Sequence, residues 1–380
     1  MKILHLADDE KFIDLAIKTF EVAAPDQNDL YVYSRHPLRL VKSRASIPSK
    51  LSLLTGYLAK KINQYDLVII HSLNPAWYPS ILKLNRNIPI VWIGWGYDYY
   101  DIIYSSPKQM LLPLTKQRMK EIQTTGSLYS KIKSKLKNLI TSTSKTKVIE
   151  RINYFSPVLP AEFDLVKNMF SGTKFPEYIF WNYGNLEEDL VRGFTDSQVT
   201  GNAILVGNSA SLENNHLDTF SLLSNTGFQK RFLVCPLSYG DARYRDLLTK
   251  IGRDRFGELF KPLVDFVPID LYVRTLESCG FVIMNHVRQQ AVGNIVIMLY
   301  LGAKVFLRRE CPTFEFFHSQ GAIIFSVQQL EQNPDLLNAK LDQQSMKINR
   351  SIVMKNWSKA SSDKKTMDLI NKVTMPSLTI

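Results

Sequence analysis

Short, uniformly apolar runs alternate with longer amphipathic stretches, and they do so in two successive series. In the first, KILHLA (2–7), DLYVYS (29–34), DLVIIH (66–71), IPIVWIG (88–94), RINYFS (151–156) and EYIFWN (177–182) read as strands. Helical patterns fill 11–23, 49–63, 76–84 and 161–170 between them. Strands that are apolar on both faces need cover on both faces, and strands joined through helices form parallel βαβ units. The second series has strands AILVGN (203–208), RFLVCP (231–236), a short piece near 261–267, GFVIMN (280–285), AKVFL (303–307) and AIIFS (322–326). Its helices fall at 212–225, 241–251, 269–278, 290–301 and 312–319.

A chain of 380 residues exceeds what one core ordinarily holds. The expected architecture is therefore α/β, with two Rossmann-like domains facing each other across a cleft. An N-terminal domain spans 1–185, with a basic amphipathic insert near 116–151. A second domain spans 203–335. A helical tail, 336–380, is free to pack back on the N-terminal domain. The polar, glycine-containing stretch 184–202 reads as the linker.

The charge balance narrows the partners. Lys and Arg number 47 against 35 Asp and Glu, a net charge of +12, which favours anionic partners. No apolar run reaches the length of a membrane span, and the N-terminus reads as a strand rather than a signal peptide. Cys235, Cys279 and Cys311 fit no zinc spacing and suit reduced core thiols of a cytosolic protein. In 116–151, ten basic residues face only Glu121 and Glu150, and Leu128, Ile132, Leu136, Leu139 and Ile140 share one helical face. That pattern fits an interfacial helix on an anionic membrane, or a surface helix docked on its own domain. No nucleic-acid motif accompanies the charge, so nucleic acid is not expected as a partner.

Open α/β sheets bind ligands beyond the carboxyl ends of their strands, so chemistry is sought in the strand-to-helix loops. Three such loops stand out in the second series. In AILVGNSASLENNH (203–216), Gly207, Asn208 and Ser209 lead into a helix, an arrangement suited to an anion or to an ordinary capped helix. In RQQAVGN (288–294), Arg288 suits a diphosphate, Gln289 and Gln290 suit sugar hydroxyls, and Gly293 with Asn294 opens the next helix. The alternative is a polar loop meeting water. In FLRRECPTFEFF (306–317), Glu310 is placed to contact a ribose or sugar hydroxyl, or to pair with Arg308 or Arg309.

The first series offers VWIGWGYDYYD (91–101), where Trp95 and Tyr97 form a candidate sugar platform and Asp98 a candidate base. Asp98 serves equally as a cap at an aromatic core edge. The ends of the first and third strands add Asp8, His5 and His71, expected to open into the same cleft. A histidine in such a place is more often structural than catalytic.

No phosphate loop, G-x-G-x-x-G fingerprint, G-x-S-x-G elbow or H-E-x-x-H motif is present. Nor does a D-x-D follow an apolar strand, which leaves a metal's task to Arg288, helix N-termini and backbone N–H groups.

The order LVGNS (205–209) with Asn215 and His216, RQQ-x-x-G (288–293), and R-E-x-P-x-F (309–314) resembles glycosyltransferase family 56. The W-x-x-W-G-x-D-x-Y at 92–100 and Asn74-Pro75 resemble it too. Ala291 stands where the family pattern has glycine. The resemblance implies a GT-B fold with the nucleotide-sugar donor in the C-terminal domain. The known family activity moves N-acetylfucosamine from a TDP-linked donor to a polyprenyl-diphosphate-linked acceptor in enterobacterial common antigen synthesis. It further implies no cofactor, no metal, an inverting displacement, and work at the cytoplasmic face of the inner membrane. Under it, Gly207, Asn208, Ser209, Arg288, Gln289 and Gln290 hold diphosphate and sugar, and Glu310 contacts ribose or sugar. Asp98 is the first choice for the base, with Asp8 and His5 behind it. An O-antigen or capsule enzyme fits as well. A nucleotide-sugar 2-epimerase of the same plan, or a non-enzymatic basic protein binding membrane or RNA, are the rival readings.

Overall fold

The computed structural model describes residues 1–122, 144–226 and 230–374. The chain divides into two compact units. One unit comprises Met1–Ile103, Gly126–Asn185 and Lys359–Ile380; the other comprises Tyr104–Thr125 and Leu186–Ser358. The change of unit at 185/186 falls inside the polar stretch read as a linker. Val199, Thr200 and Gly201 of that stretch bond to Leu301 and Glu277, and Ala203 just beyond it to Ser278, within the second unit.

In the first unit, β1 (Ile3–Asp8), β2 (Asn28–Tyr33), β3 (Leu67–His71), β4 (Ile90–Ile93), β5 (Tyr154–Ser156) and β6 (Glu177–Tyr178) form one parallel sheet. Its order is β2-β1-β3-β4-β5-β6. β3 and β4 are buried along their whole length, as their unbroken apolar sequence requires. On one face, Ile3, Leu67, Ile69, Val91 and Ile93 pack with Phe20 of the helix Ile13–Ala23 and with Leu369 and Ile370 of the C-terminal helix. The tail is therefore shared: the helix Gln343–Trp357 stays in the second unit, and the helix Lys359–Thr374 returns to the first.

The stretch 49–63 forms two short helices, Lys50–Thr55 and Ala59–Ile62, rather than one. Gly56 separates them in the left-handed conformation, and a Cβ there would lie 2.7 Å from the carbonyl oxygen of Pro79.

In the second unit, β7 (Ile204–Val206), β8 (Leu233–Pro236), β9 (Phe260–Leu263), β10 (Phe281–Met284), β11 (Lys304–Leu307) and β12 (Phe325–Ser326) form a second parallel sheet. Its order is β12-β11-β10-β7-β8-β9. The helix Val292–Leu301 is apolar all round, and Ile295 through Leu301 are buried. The helix Pro113–Ile122 also belongs here: Asp218 accepts from the N–H of Leu114 and from the N–H and hydroxyl of Thr115. Of the basic stretch, residues 123–143, with Leu128, Ile132, Leu136, Leu139 and Ile140, lie outside the described residues. Lys145 pairs with Asp101 at 2.6 Å within the first unit.

Candidate functional site

Each sheet contains one place where the direction of strand addition reverses. In the first, β1 is flanked by β2 and β3; in the second, β7 is flanked by β8 and β10. The loops leaving the two strands at such a point turn opposite ways and open a crevice beyond the carboxyl ends. The loops singled out in the sequence after β1 and β3, and after β7 and β10, are the four that leave these two points.

In the second unit, Asn214 organises the loop after β7. Its Oδ1 accepts from the backbone N–H of Asn208 at 2.9 Å and faces His286 Nε2 at 2.8 Å. Its amide donates to Ser209 Oγ at 3.2 Å and to the Ser211 carbonyl. Gly207 has φ +65°, and a Cβ there would stand 2.5 Å from His216 Nε2 and 2.8 Å from Asn214 Oδ1. Its lack of a side chain is thus needed against the unit's own interior, not for approach of a ligand.

Ser209 is buried and lies 3.4 Å from the Gln290 amide nitrogen, which joins the two loops at the reversal. Asn208 donates to the Tyr239 hydroxyl at 3.3 Å, and its Oδ1 and Gln290 Oε1 are buried without a partner in the unit. Burying such atoms unpaired is costly, so they mark where a ligand's hydroxyl or N–H groups would be welcome.

Arg288 behaves differently from the sequence expectation. Its Nη2 and Nε donate to Glu213 Oε2 at 2.6 and 3.2 Å, and Nη1 donates to the Gln289 carbonyl at 2.7 Å. A carboxylate of the same unit already compensates its charge, so the guanidinium is a fixed plane of donors rather than an unpaired cation. Gln289 is buried, and Asn294 donates to the Tyr272 hydroxyl at 3.0 Å. Gly293 is the second residue of the helix Val292–Leu301, whose first turn has no side-chain cap. Ala291, before it, has φ +61°. Glu310 accepts from Arg308 at 3.3 Å and from Gln328 at 2.7 Å, which is the ion-pair reading of that residue plus an amide.

In the first unit, Asp8 and Asp98 part company. Asp98 is buried, and its carboxylate accepts three N–H groups: Leu73 at 2.8 Å, Trp95 at 2.7 Å and the Trp92 indole at 2.8 Å. Burial nevertheless holds its carboxyl above the usual range. Asp8 is partly exposed at the end of β1 and accepts from the Asn74 amide on both oxygens, at 2.8 and 2.9 Å. Burial raises its carboxyl too; Asn74 opposes the rise and the nearby Asp98 adds to it. Asn74 thus ties β3's loop to β1's across the reversal, while Ser72 beside it has φ +67°.

His5 and His71 are buried and lie in a hydrogen-bonded series, away from solvent. The Asn28 amide nitrogen donates to the Ala24 carbonyl, which turns its oxygen to His5 Nε2 at 3.1 Å. That oxygen only accepts, so His5 carries its proton on Nε2. His5 Nδ1 then accepts from His71 Nε2 at 3.0 Å. His71 Nδ1 accepts from the Tyr183 hydroxyl at 2.6 Å, and Tyr183 in turn accepts from the Trp95 indole at 2.7 Å. Both imidazoles are neutral: burial lowers His5 to about 4 and His71 well below its ordinary value. The series ends on Trp95, so these buried histidines brace the aromatic platform and present no ring nitrogen to solvent. Tyr97 projects from the platform, 53% exposed, edge-on to Trp95.

Glu213, Asn214 and Tyr183 were not singled out in the sequence, and Asn74 was marked there only with Pro75 as part of a motif, not as a partner of Asp8. Asn214 sits in the polar run S-L-E-N-N-H that was singled out; Tyr183 carried no local signal.

Residues 179–363 match a family described as 4-alpha-L-fucosyltransferase, glycosyl transferase group 56. This agrees with the resemblance carried by the LVGNS, RQQ-x-x-G and R-E-x-P-x-F segments. No curated protein sequence matches the chain. Among solved structures, the chain is similar to Anabaena HepE in complex with UDP, with TM-score 0.64, 11% identity, and 98% of this chain and 100% of that chain covered. It is similar to sucrose-phosphate synthase from Thermosynechococcus elongatus at TM-score 0.64 and 9% identity, covering 98% and 99%. A glycosyltransferase from Rickettsia africae gives TM-score 0.58 at 14% identity, with 99% of both chains covered. At these identities the likeness establishes the fold, which is the two-unit GT-B arrangement of α/β sheets.

Proposed function

We propose that this chain, a glycosyltransferase of the GT-B fold, moves a deoxy-amino sugar of N-acetylfucosamine type from a TDP- or UDP-linked donor. The acceptor is a polyprenyl-diphosphate-linked glycan of bacterial surface polysaccharide synthesis. The enzyme works as a peripheral protein on the cytoplasmic face of the inner membrane. The fucosyltransferase description of the family matched over 179–363 supports the sugar class. HepE, solved with UDP, supports a nucleotide-linked donor.

The observation that carries the reading is the pair of loops at the β7/β10 reversal. Asn208 Oδ1 and Gln290 Oε1 lie buried there without partners, beside the uncapped start of Val292–Leu301. Free N–H groups at a helix start favour the negative charge of a leaving diphosphate. The guanidinium that Glu213 fixes at Arg288 adds oriented donors at no cost in reorganisation.

In the displacement, the acceptor oxygen forms a bond to the anomeric carbon as the bond to the nucleoside diphosphate breaks. The acceptor's proton passes to a carboxylate. We assign that role to Asp8, which is partly exposed and has a raised carboxyl, and we assign Asp98 to bracing Leu73 and Trp95. Trp95 and Tyr97 supply the acceptor-side platform.

The test is nucleoside diphosphate release from a panel of TDP- and UDP-sugars, with and without extracted lipid-linked acceptor. Acceptor-dependent release is the expected result. Interconversion of the donor without acceptor would instead establish the epimerase reading and refute this one.

A further inference from the structure

The longest acid-free stretch of the first unit lies at 30–65, which carries Arg35, Arg39, Lys42, Arg44, Lys50, Lys60 and Lys61 and contains no Asp or Glu. The same stretch leaves five large apolar side chains in solvent. Leu51 is 71% exposed, Leu54 66% and Tyr57 59%, with Leu40 and Ile47 also exposed.

The local structure explains how these side chains are held outward. Ser49 caps the helix Lys50–Thr55 by accepting from the Ser52 N–H. Leu53, Leu58, Ala59 and Ile62 point inward and are buried, anchoring both short helices. Leu51 and Leu54, three residues apart, share the opposite face. Left-handed Gly56 turns the chain so that Tyr57 follows on, and Leu51 and Tyr57 line one open depression of about 610 Å³ with Lys60 and Lys83. Lys60 and Lys83 line the depression, and Lys50 and Lys61, next in the chain to Leu51 and Lys60, are exposed as well. Of the acidic groups flanking the stretch, Asp29 accepts from Tyr65 and Asp66 from the Lys2 N–H, while Asp9 and Asp14 are held on the backbone N–H groups of residues 39–43.

Exposed apolar side chains flanked by lysines are complementary to one kind of surface, a bilayer with anionic headgroups: the acyl boundary takes leucine and tyrosine, and the headgroups take lysine. We infer that the surface built by Leu51, Leu54 and Tyr57 with Lys50, Lys60 and Lys61 is the membrane-docking face of this enzyme. The inference rests on the proposed lipid-linked acceptor for its purpose and on this surface for its evidence. It differs from the sequence expectation, which placed membrane contact in 116–151.

The test uses the full chain and vesicles of phosphatidylcholine, alone or with 30% phosphatidylglycerol, read by co-sedimentation at about 0.1 M salt, near the ionic strength where screening acts over roughly 10 Å. The native chain is expected to bind the anionic vesicles at least tenfold better than the neutral ones. Leu51→Ser with Leu54→Ser should weaken that binding about tenfold or more. Lys50→Gln, Lys60→Gln and Lys61→Gln together should weaken it roughly 100-fold, since each basic residue near an anionic surface contributes about fivefold. Turnover on detergent-dispersed acceptor should stay within twofold in both variants, because none of these residues touches the donor or the proposed base. Binding within twofold of native in the lysine variant, or equal binding of the native chain to neutral vesicles, would overturn the inference. Loss of turnover by the native chain in detergent would instead count against the transferase reading and leave the vesicle result standing.

Discussion

Gly207→Ala separates two explanations of the same glycine. If Gly207 exists to let a ligand approach the backbone, alanine should leave the fold alone and weaken donor binding. The geometry gives another outcome. A Cβ at 207 would lie 2.5 Å from His216 Nε2 and 2.8 Å from Asn214 Oδ1, both in buried side chains. The backbone is at φ +65°, where an L side chain costs about 1–2 kcal/mol. Forcing extra volume into a packed interior adds about 1–3 kcal/mol. Together the substitution should destabilise the second unit by roughly 2–5 kcal/mol, before any effect on ligand. Urea denaturation followed by circular dichroism, with m held constant, reads this directly. A double-mutant cycle with His216→Ala isolates the clash: the coupling should recover about 1–3 kcal/mol and leave the φ strain in place. A Gly207→Ala protein within about 0.5 kcal/mol of native stability, a typical surface-substitution effect, would refute the packing argument.

Ala291→Gly should be neutral to stabilising, by up to about 1 kcal/mol, because relief of left-handed strain slightly exceeds the added freedom of the unfolded chain; a clear drop in the urea midpoint would contradict it. Asp8→Asn should lower kcat about 10²- to 10⁴-fold, and the native kcat/KM should rise with pH through a pKa above that of an ordinary aspartate, since only the carboxylate takes the acceptor's proton; a flat profile, or a larger loss from Asp98→Asn in a folded protein, would return the base to Asp98. His216 and His286 are buried neutral, with burial lowering each to about 3, so the unfolded chain alone takes up their protons as pH falls below about 6.5. The stability they protect is complete above that pH and lost as pH falls toward 3; between pH 7.5 and 5 the second unit should lose roughly 4 kcal/mol, about 2 per histidine, and an unchanged urea midpoint would refute it.

The strands were legible because a parallel sheet covered on both faces leaves an unmistakable record: LVII in β3, IVWI in β4 and FVIM in β10 carry no polar residue to blur the pattern. Their carboxyl ends located the candidate loops. What those loops do internally was not legible, because hydropathy does not say which polar groups meet, and several of the partners are remote in sequence. Arg288 reads as an available cation until Glu213, 75 residues earlier, is found against it. Asp98 reads as a base until three N–H groups from Leu73, Trp92 and Trp95 close around it. His5, His71, Tyr183 and Trp95 form one series, yet the chain passes through four separate loops or strands to assemble it. Hydropathy reports which face a side chain turns to water; it says nothing about which polar group meets which.

Ala291 shows where a departure from a family pattern becomes physical. The resemblance leads one to expect glycine there, and the backbone adopts φ +61°, ψ +22°, the region glycine enters without penalty. The same conformation lets the chain leave the loop after β10 and enter Val292–Leu301 at once, with the Ile295 N–H bonding back to the Ala291 carbonyl at 3.0 Å. A right-handed residue at 291 would instead continue the helix backwards into Gln290, whose amide nitrogen now faces Ser209. The strain at Ala291 is therefore the local condition for joining the β7 and β10 loops, and it persists because the buried residues 295–301 fix the helix that follows. Alanine preserves that conformation at a cost of about 1 kcal/mol, whereas a β-branched residue, stiffer still at φ above zero, would be expected to release the turn and separate Gln290 from Ser209.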